Sequence, residues 1–391
     1  MTIVAAGADC VIWTQDIPDF PYIKGVSVIV VSWVSSPLCS GIVASLAFLV
    51  ARTFVLRSPS STERALATYP LLVWFVISLA LFMLIIKGTN NVNGTWDPQG
   101  KDLGAACGIC IGGGLFLALI AWACKPFIRA MVDAVSDEPE EAGKTSADVA
   151  MDLSTDAEEP KTNSILAWVR KNIDVDPTAV AARSGDKIAA MHESAEKFPP
   201  KTEQVFRYMQ VITASMMSFS HGANDVANAM GPFSAVWFIW KSSGKFGSKK
   251  NDVGEDMYWI LAIGGLGIVV GLATFGYKII WAIGVKLTKI TPSRGFAIEL
   301  GAMFTILLGS RFGLPLSTTH CAVGATVGVS MTEGRRGATN WWFFLRMIAG
   351  WCLTMVINGL FTACIFSMGY WGIHWDDDQM IGPNWRHPYT N

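Results

Sequence analysis

Charge is scarce in this sequence. Only 16% of its 391 residues are Asp, Glu, Lys or Arg, against roughly a quarter in soluble domains. In their place stand 51% hydrophobic residues, among them 16 Trp and 21 Phe, and the mean hydropathy is +0.39. That balance excludes an ordinary soluble domain. Basic stripes are lacking too, and the formal net charge is −1, so nucleic acid is not an expected partner. The eight cysteines are scattered, most of them in apolar runs. Cys107 and Cys110 form a CxxC without a second ligand pair at zinc spacing, which leaves them as small helix-packing residues. No signal peptide is expected, because residues 1–24 carry Asp9, Asp16 and Asp19 and have no basic start.

Long apolar runs are what the chain does have. Stretches of bilayer-spanning length recur at 25–51, 71–87, 104–124, 257–282 and 342–369. They predict an all-α polytopic membrane protein set in a lipid bilayer. Arg52, Arg57 and Arg64 lie in one loop, and Lys125 and Arg129 follow the third run. The positive-inside rule makes both regions cytoplasmic. Residues 1–24 are then external, as is the loop 88–103 with its sequon Asn93-Gly94-Thr95. Residues 133–163 are rich in Asp and Glu and poor in aromatics, the composition of a disordered linker. Four regions follow: 1–132, a largely disordered cytoplasmic loop over 133–204 with a short helix near Ile165–Ile173, a second membrane part over 205–369, and a polar tail over 370–391.

Clean spans fail in the second part. Residues 207–240 and 295–331 are too long for one crossing and are interrupted by Gly, Pro and polar clusters. Both are expected to be broken helices lining an enclosed cavity, the arrangement of transporter binding sites. The first contains SHGANDVANAMGP, residues 220–232. An intramembrane aspartate is costly and marks function by default. Asp225 offers acceptors to a cation or a protonated oxyanion, and Asn224 and Asn228 share one helical face. The second contains GLPLSTTHCAVGATVG, residues 313–328. Pro315 suits a first helical turn, which sets Ser317, Thr318 and Thr319 beside free N–H groups that favour an anion. His320 relays protons or bonds a neighbouring helix. Between the motifs, Glu299 follows Arg294, with Ser293 as the expected helix cap; it is either functional or half of an interfacial ion pair.

Neither motif contains Lys or Arg. An anion bound by neutral donors and a helix end, beside an aspartate, needs compensating cations. Oxygen-rich surroundings suit a hard ion such as Na+, so anion entry is expected to be coupled to cation entry. A metal enzyme built on His221, Asp225 and His320 is rejected, because no nucleophile–base spacing is evident. No cofactor or resident metal is expected.

Taken together, KTEQVFRYMQVITASMMSFSHGANDVANAMGP (201–232), LTKITPSRGFAIELGA (287–302), GLPLSTTHCAVGATVG (313–328) and VVSWVSSPLCSGIVASLAFLVARTFVLR (30–57) resemble the inorganic phosphate transporter (PiT) family of sodium– or proton–phosphate symporters. The resemblance implies two inverted repeats whose broken helices converge on phosphate at the midplane. By position it implies phosphate ligands at Asn224, Asp225, Asn228, Ser317, Thr318 and Thr319. Cation binding or coupling falls to Ser220, Asp225, Asn228 and Glu299, and the coupling ion is Na+ or H+. One departure stands out: the family's earlier copies of both motifs do not occur in this sequence. Trp33 and Gly41 match Trp351 and Gly359 in spacing, and the stretch from Met1 resembles that from Met331. These matches predict that the first repeat is incomplete, with roughly 120 upstream residues missing by the repeat's own length. The alternative is a non-transporting membrane subunit, phosphate sensor or receptor. Assembly as a homodimer is left open.

Overall fold

A computed structural model describes residues 11–16, 18, 22–88, 101–135, 186–241, 258–335 and 337–373. The sequon at Asn93, the acidic run beyond 135, the expected helix at Ile165–Ile173 and the tail beyond 373 lie outside them. The chain divides into two compact units: Ile29–Asn340, and Met1–Val28 together with Trp341–Asn391.

Helices dominate, in the order α1 (Val26–Ala51), α2 (Ser61–Gly88), α3 (Leu103–Ala123), α4 (Lys125–Asp133), α5 (Asp186–Ser194), α6 (Pro200–Lys241), α7 (Tyr258–Gly271), α8 (Tyr277–Ala282), α9 (Pro292–Arg311), α10 (Thr318–Met331) and α11 (Trp341–Ile373). Wider π-type turns extend α1 over Arg52–Leu56 and flank α8 at Leu272–Gly276 and Ile283–Leu287. Among the described residues, five helical segments are long and apolar enough to cross a membrane: Val26–Leu56, Ser61–Phe82, Leu103–Ala123, Tyr258–Gly276 and Trp341–Met368. The protein is a multi-pass integral membrane protein.

The smaller unit holds a short antiparallel pair not expected from the sequence, β1 (Gln15–Asp16) with β2 (Ile23–Lys24), Gln15 opposite Lys24. Gly25 leaves it at φ +104, where a Cβ would lie 2.5 Å from the Ile12 carbonyl oxygen. Only glycine accepts both demands.

In the larger unit a buried apolar core around Phe48, Phe206 and Met303 coexists with side chains sorted the opposite way to those of a soluble protein. Large apolar groups such as Val34, Phe116 and Phe275 face outward, while Ser32, Ser36, Ser40, Thr213 and Thr326 are buried. Lipid gives no hydrophobic drive for helix association, so small residues and interhelical hydrogen bonds provide it instead. The seam between α1 and α10 is the clearest case. A Cβ on Gly324 would meet the Pro37 oxygen at 2.2 Å, and one on Gly328 the Gly41 oxygen at 2.4 Å. Along the same seam, Ser32 donates to the Pro315 oxygen at 2.8 Å and Ser40 to the Cys321 oxygen at 2.8 Å.

Two expected breaks have different outcomes. The helix over 207–240 is not broken: α6 runs 42 residues through the first motif with Pro232 inside it. Alanines keep the motif helical, and Met230 packs over Gly264 of α7 with no room for a Cβ there. The second motif is broken, at 312–317. Gly313 takes φ +67, its N–H bonds the Ser310 oxygen and the Leu314 N–H bonds that of Gly309. This is a glycine-capped helix end followed by proline. Pro315 therefore lies within the break, outside both helices, instead of starting α10 as expected, and Ser317 caps α10 by accepting from the His320 N–H.

A charged clasp ties these helices together at one end. Arg294 is 2% exposed and donates Nε to Glu333 Oε1 at 2.6 Å and Nη2 to the Glu196 carbonyl at 2.8 Å. Phe48 and Phe198 flank its guanidinium at 5.9 and 5.6 Å. Glu196 in turn accepts from Arg52 at 2.5 Å and Arg57 at 2.9 Å. Residues 186–199, expected within a largely disordered loop, thus include α5 and a strap fastened to α1, α9 and the turn after α10. The Arg294–Glu299 ion pair weighed above does not form. Nor does Ser293 cap α9: Thr291 holds that position, and Ser293 bonds Glu203 through both N and Oγ.

Three outcomes are expected. Gly324→Ala lowers stability by about 1–3 kcal/mol through overpacking, whereas Gly231→Ala, with nothing within 4 Å, is neutral or mildly stabilising. Thermal unfolding in detergent compares the two. Glu333→Gln leaves a buried guanidinium unpaired and costs about 3–5 kcal/mol, checked by the same assay. Burial alone would push the Glu196 carboxyl up, but the bonds and charges of Arg57 and Arg52 outweigh it and hold it below its usual 4.5. Its contribution is therefore complete above pH 4.5 and fades as pH falls through the lowered value. The stability gap between Glu196→Gln and the parent should be constant near neutrality and shrink in acid; a gap that widens in acid contradicts the clasp.

Candidate functional site

The second motif reaches the first across the 312–317 break. Gly309 leaves room for this: a Cβ there would lie 2.0 Å from Leu316 Cδ1, so the Leu316 side chain packs into the space that a side chain at 309 would take. Thr318, the first residue of α10, then stands against Asp225 of α6, and its hydroxyl lies 3.2 Å from each carboxylate oxygen. His221, one turn earlier, approaches Oδ2 through Nε2 at 2.6 Å. Asp225 is thus held from two sides and remains 34% exposed.

It borders a cavity of about 280 Å³ lined by Trp33, Asp225, Asn228, Pro315, Leu316, Ser317, Thr318 and Thr319. The walls combine one carboxylate, one carboxamide and three hydroxyls. At the start of any helix the first N–H groups have no intrahelical acceptor, here those of Thr318 and Thr319, and the helix dipole adds partial positive charge. No Lys or Arg lines the cavity. Among the described residues no group of three His, Cys, Asp or Glu could hold a metal ion.

Five of the eight candidates therefore gather on one cavity: Asp225, Asn228, Ser317, Thr318 and Thr319. Asn224 does not line it. Its Nδ2 donates to the Leu316 carbonyl at 3.1 Å and lies 3.4 Å from Asp225 Oδ1, and its Oδ1 accepts from Ser310 at 3.3 Å. Ser220 is buried, bonds back to the Met216 oxygen at 2.9 Å, and faces a second, larger cavity with Asn224. Glu299 is elsewhere. It accepts from Thr213 at 2.6 Å and Gln210 at 3.2 Å, and Thr213 lies roughly 18 Å along α6 from Asp225 at 1.5 Å per residue. Trp33 and Ser310 were not among the expected site residues. Ser310 sits in an unremarkable apolar run, and Trp33 stood out only as a repeat marker.

Comparison with known proteins gives the family. The model of the phosphate transporter family matches residues 1–362. A sodium-dependent phosphate transporter of Toxoplasma gondii is 39% identical over 217 residues, covering 48% of this chain and 24% of the relative. Sodium-dependent phosphate transporter 2 of Homo sapiens is 41% identical over 184 residues, 47% of this chain and 27% of the relative. A phosphate-repressible phosphate permease of Neurospora crassa is 39% identical over 181 residues, 46% of this chain and 30% of the relative. The chain thus spans less than a third of these relatives' lengths. A solved structure of a sodium-dependent phosphate transporter matches 85% of this chain and 61% of its own, with a TM-score of 0.55 and 24% identity, which establishes a shared fold. With the family match covering nearly the whole chain, this protein is a member of the phosphate transporter family.

Proposed function

We propose that the chain carries the substrate-bearing part of a symporter that moves inorganic phosphate together with Na+ across the plasma membrane. The observation that supports this most is the pairing of Asp225 with Thr318 at a helix start, in a cavity whose lining lacks any Lys or Arg. Phosphate is drawn there by the N-terminus of α10, the hydroxyls of Ser317, Thr318 and Thr319 and the amide of Asn228. A dianion beside a carboxylate in such a setting repels it unless a cation intervenes. Asp225 and Asn228, with oxygen ligands suited to a hard ion, are its proposed seat. Phosphate then occupies the site only when Na+ does, which is the physical content of coupling. Relatives carrying sodium dependence in their names support Na+ over H+.

Glu299 and Ser220 take other places in this reading. Glu299, half-buried between α6 and α9, is proposed as a separate coupling position and not as a ligand of the same ion. Ser220 faces the approach to the site.

Uptake of radiolabelled phosphate into cells lacking their own phosphate transporters tests the proposal, with and without Na+. Asp225→Asn should abolish Na+-dependent uptake, a loss of about a hundredfold or more for an intramembrane charge that holds a cation, while surface expression is unchanged. Uptake with parental kinetics removes Asp225 from the mechanism. Retained phosphate binding without uptake by the parent chain turns the reading to a sensor or subunit.

A further inference from the structure

Two cavities meet at α6. The smaller is the candidate phosphate site; the larger encloses about 910 Å³ on the other flank of the motif. Its polar lining is Ser218, Ser220, Asn224 and Asn228 from α6 and Ser310 from α9, set among apolar residues. Asn228 and Pro315 belong to both walls, so the two spaces adjoin there.

Asn224 is what closes the gap. Both ends of its carboxamide are engaged: Nδ2 donates to the Leu316 carbonyl at 3.1 Å, and Oδ1 accepts from Ser310 Oγ at 3.3 Å. The bonds join α6 to the last turn of α9 and to the loop that leads into α10. A phosphate ligand would turn its donor toward the smaller cavity, which Asn224 does not line. Neutral hydrogen bonds of this kind have modest net strength, which suits a contact that must break in every cycle. The larger cavity has no Lys, Arg, Asp or Glu in its lining. Hydroxyls and carboxamides without formal charge let a hydrated anion and its cation enter and leave without trapping either, the balance that conduction requires.

We infer that the larger cavity is the access chamber of the phosphate site, and that Asn224, held by Ser310, is the partition between them. Ser310 is then a positioning residue: it touches neither phosphate nor cation and acts through Asn224. The inference rests on the reading of the smaller cavity as a phosphate site.

The test uses the full chain in proteoliposomes with Na+ present and radiolabelled inorganic phosphate as the probe. Equilibrium affinity, rates of phosphate association and release, and uptake are measured for the parent, Ala223→Trp, Ser310→Ala and Ser310→Thr. Ala223 lines the chamber, and an indole there fills it. Uptake should fall about tenfold while affinity stays within about twofold, as when access is blocked and the site is not. Ser310→Ala should speed association and release together by about tenfold, leaving affinity unchanged, and Ser310→Thr should restore parental rates. Parental uptake by Ala223→Trp, or an affinity loss in Ser310→Ala that matches its faster release, overturns the inference: the first denies the chamber, the second makes Ser310 part of the site. If Ala223→Trp binds no phosphate because it misfolds, the Ser310 pair decides. A parent chain that binds no phosphate brings down the phosphate reading and the partition with it, whereas parental binding with unaltered variants sinks the partition alone.

Discussion

The contact on which the site depends is a backbone-to-backbone one. α10 lies against α1 with glycines on both sides, Gly41 facing Gly324 and Gly328, at separations that admit no Cβ. Hydroxyls of Ser32 and Ser40 bond carbonyls across the seam. Helices this close have little freedom to slide, because every register shift brings a side chain against a backbone atom. The start of α10, and with it Thr318, is therefore located by α1 and not by the flexible loop before it. Asp225 comes from a third helix, so the cavity is the space left between the α1–α10 pair and α6.

The clasp at Arg294 completes this frame. A guanidinium 2% exposed is tolerated there because Glu333 neutralises its charge and the Glu196 carbonyl and Thr291 hydroxyl accept from its other nitrogens. It joins the first turn of α9 to the residues just after α10, so the α9–α10 hairpin is closed at the end opposite its break. One end is locked by charge, and the other is held by neutral bonds from Asn224. The unequal strength of the two ends follows from chemistry alone, since removing one partner of a buried ion pair costs several times the net worth of a neutral hydrogen bond.

What could be read in the sequence was local. The break at 312–317 was legible because Gly313 and Pro315 carry it in their own backbone preferences. The hydroxyl run and the aspartate were legible because such groups are costly in lipid. The continuity of α6 was not: Gly222, Gly231 and Pro232 argue for a break, and what overrides them is packing of Met230 on Gly264 and polar contacts from distant segments. For the same reason Ser293 was misassigned as a cap, since Glu203, its partner, lies 90 residues away. The role of Ser310 depends on a carboxamide 86 residues distant, and no local pattern encodes that.

The unbroken α6 has a mechanical meaning of its own. A helix of 42 residues has a contour of roughly 63 Å at 1.5 Å per residue, whereas a bilayer with its headgroups is only about 40–45 Å thick. Such a helix cannot be contained in the membrane at any modest tilt. Glu203, in its first turn, is already bonded to Ser293 at the clasp end of α9, and Asp225 lies further along the same helix. Glu203 at the clasp and Asp225 at the cavity thus belong to one continuous helical segment, so a displacement of one is a displacement of the other.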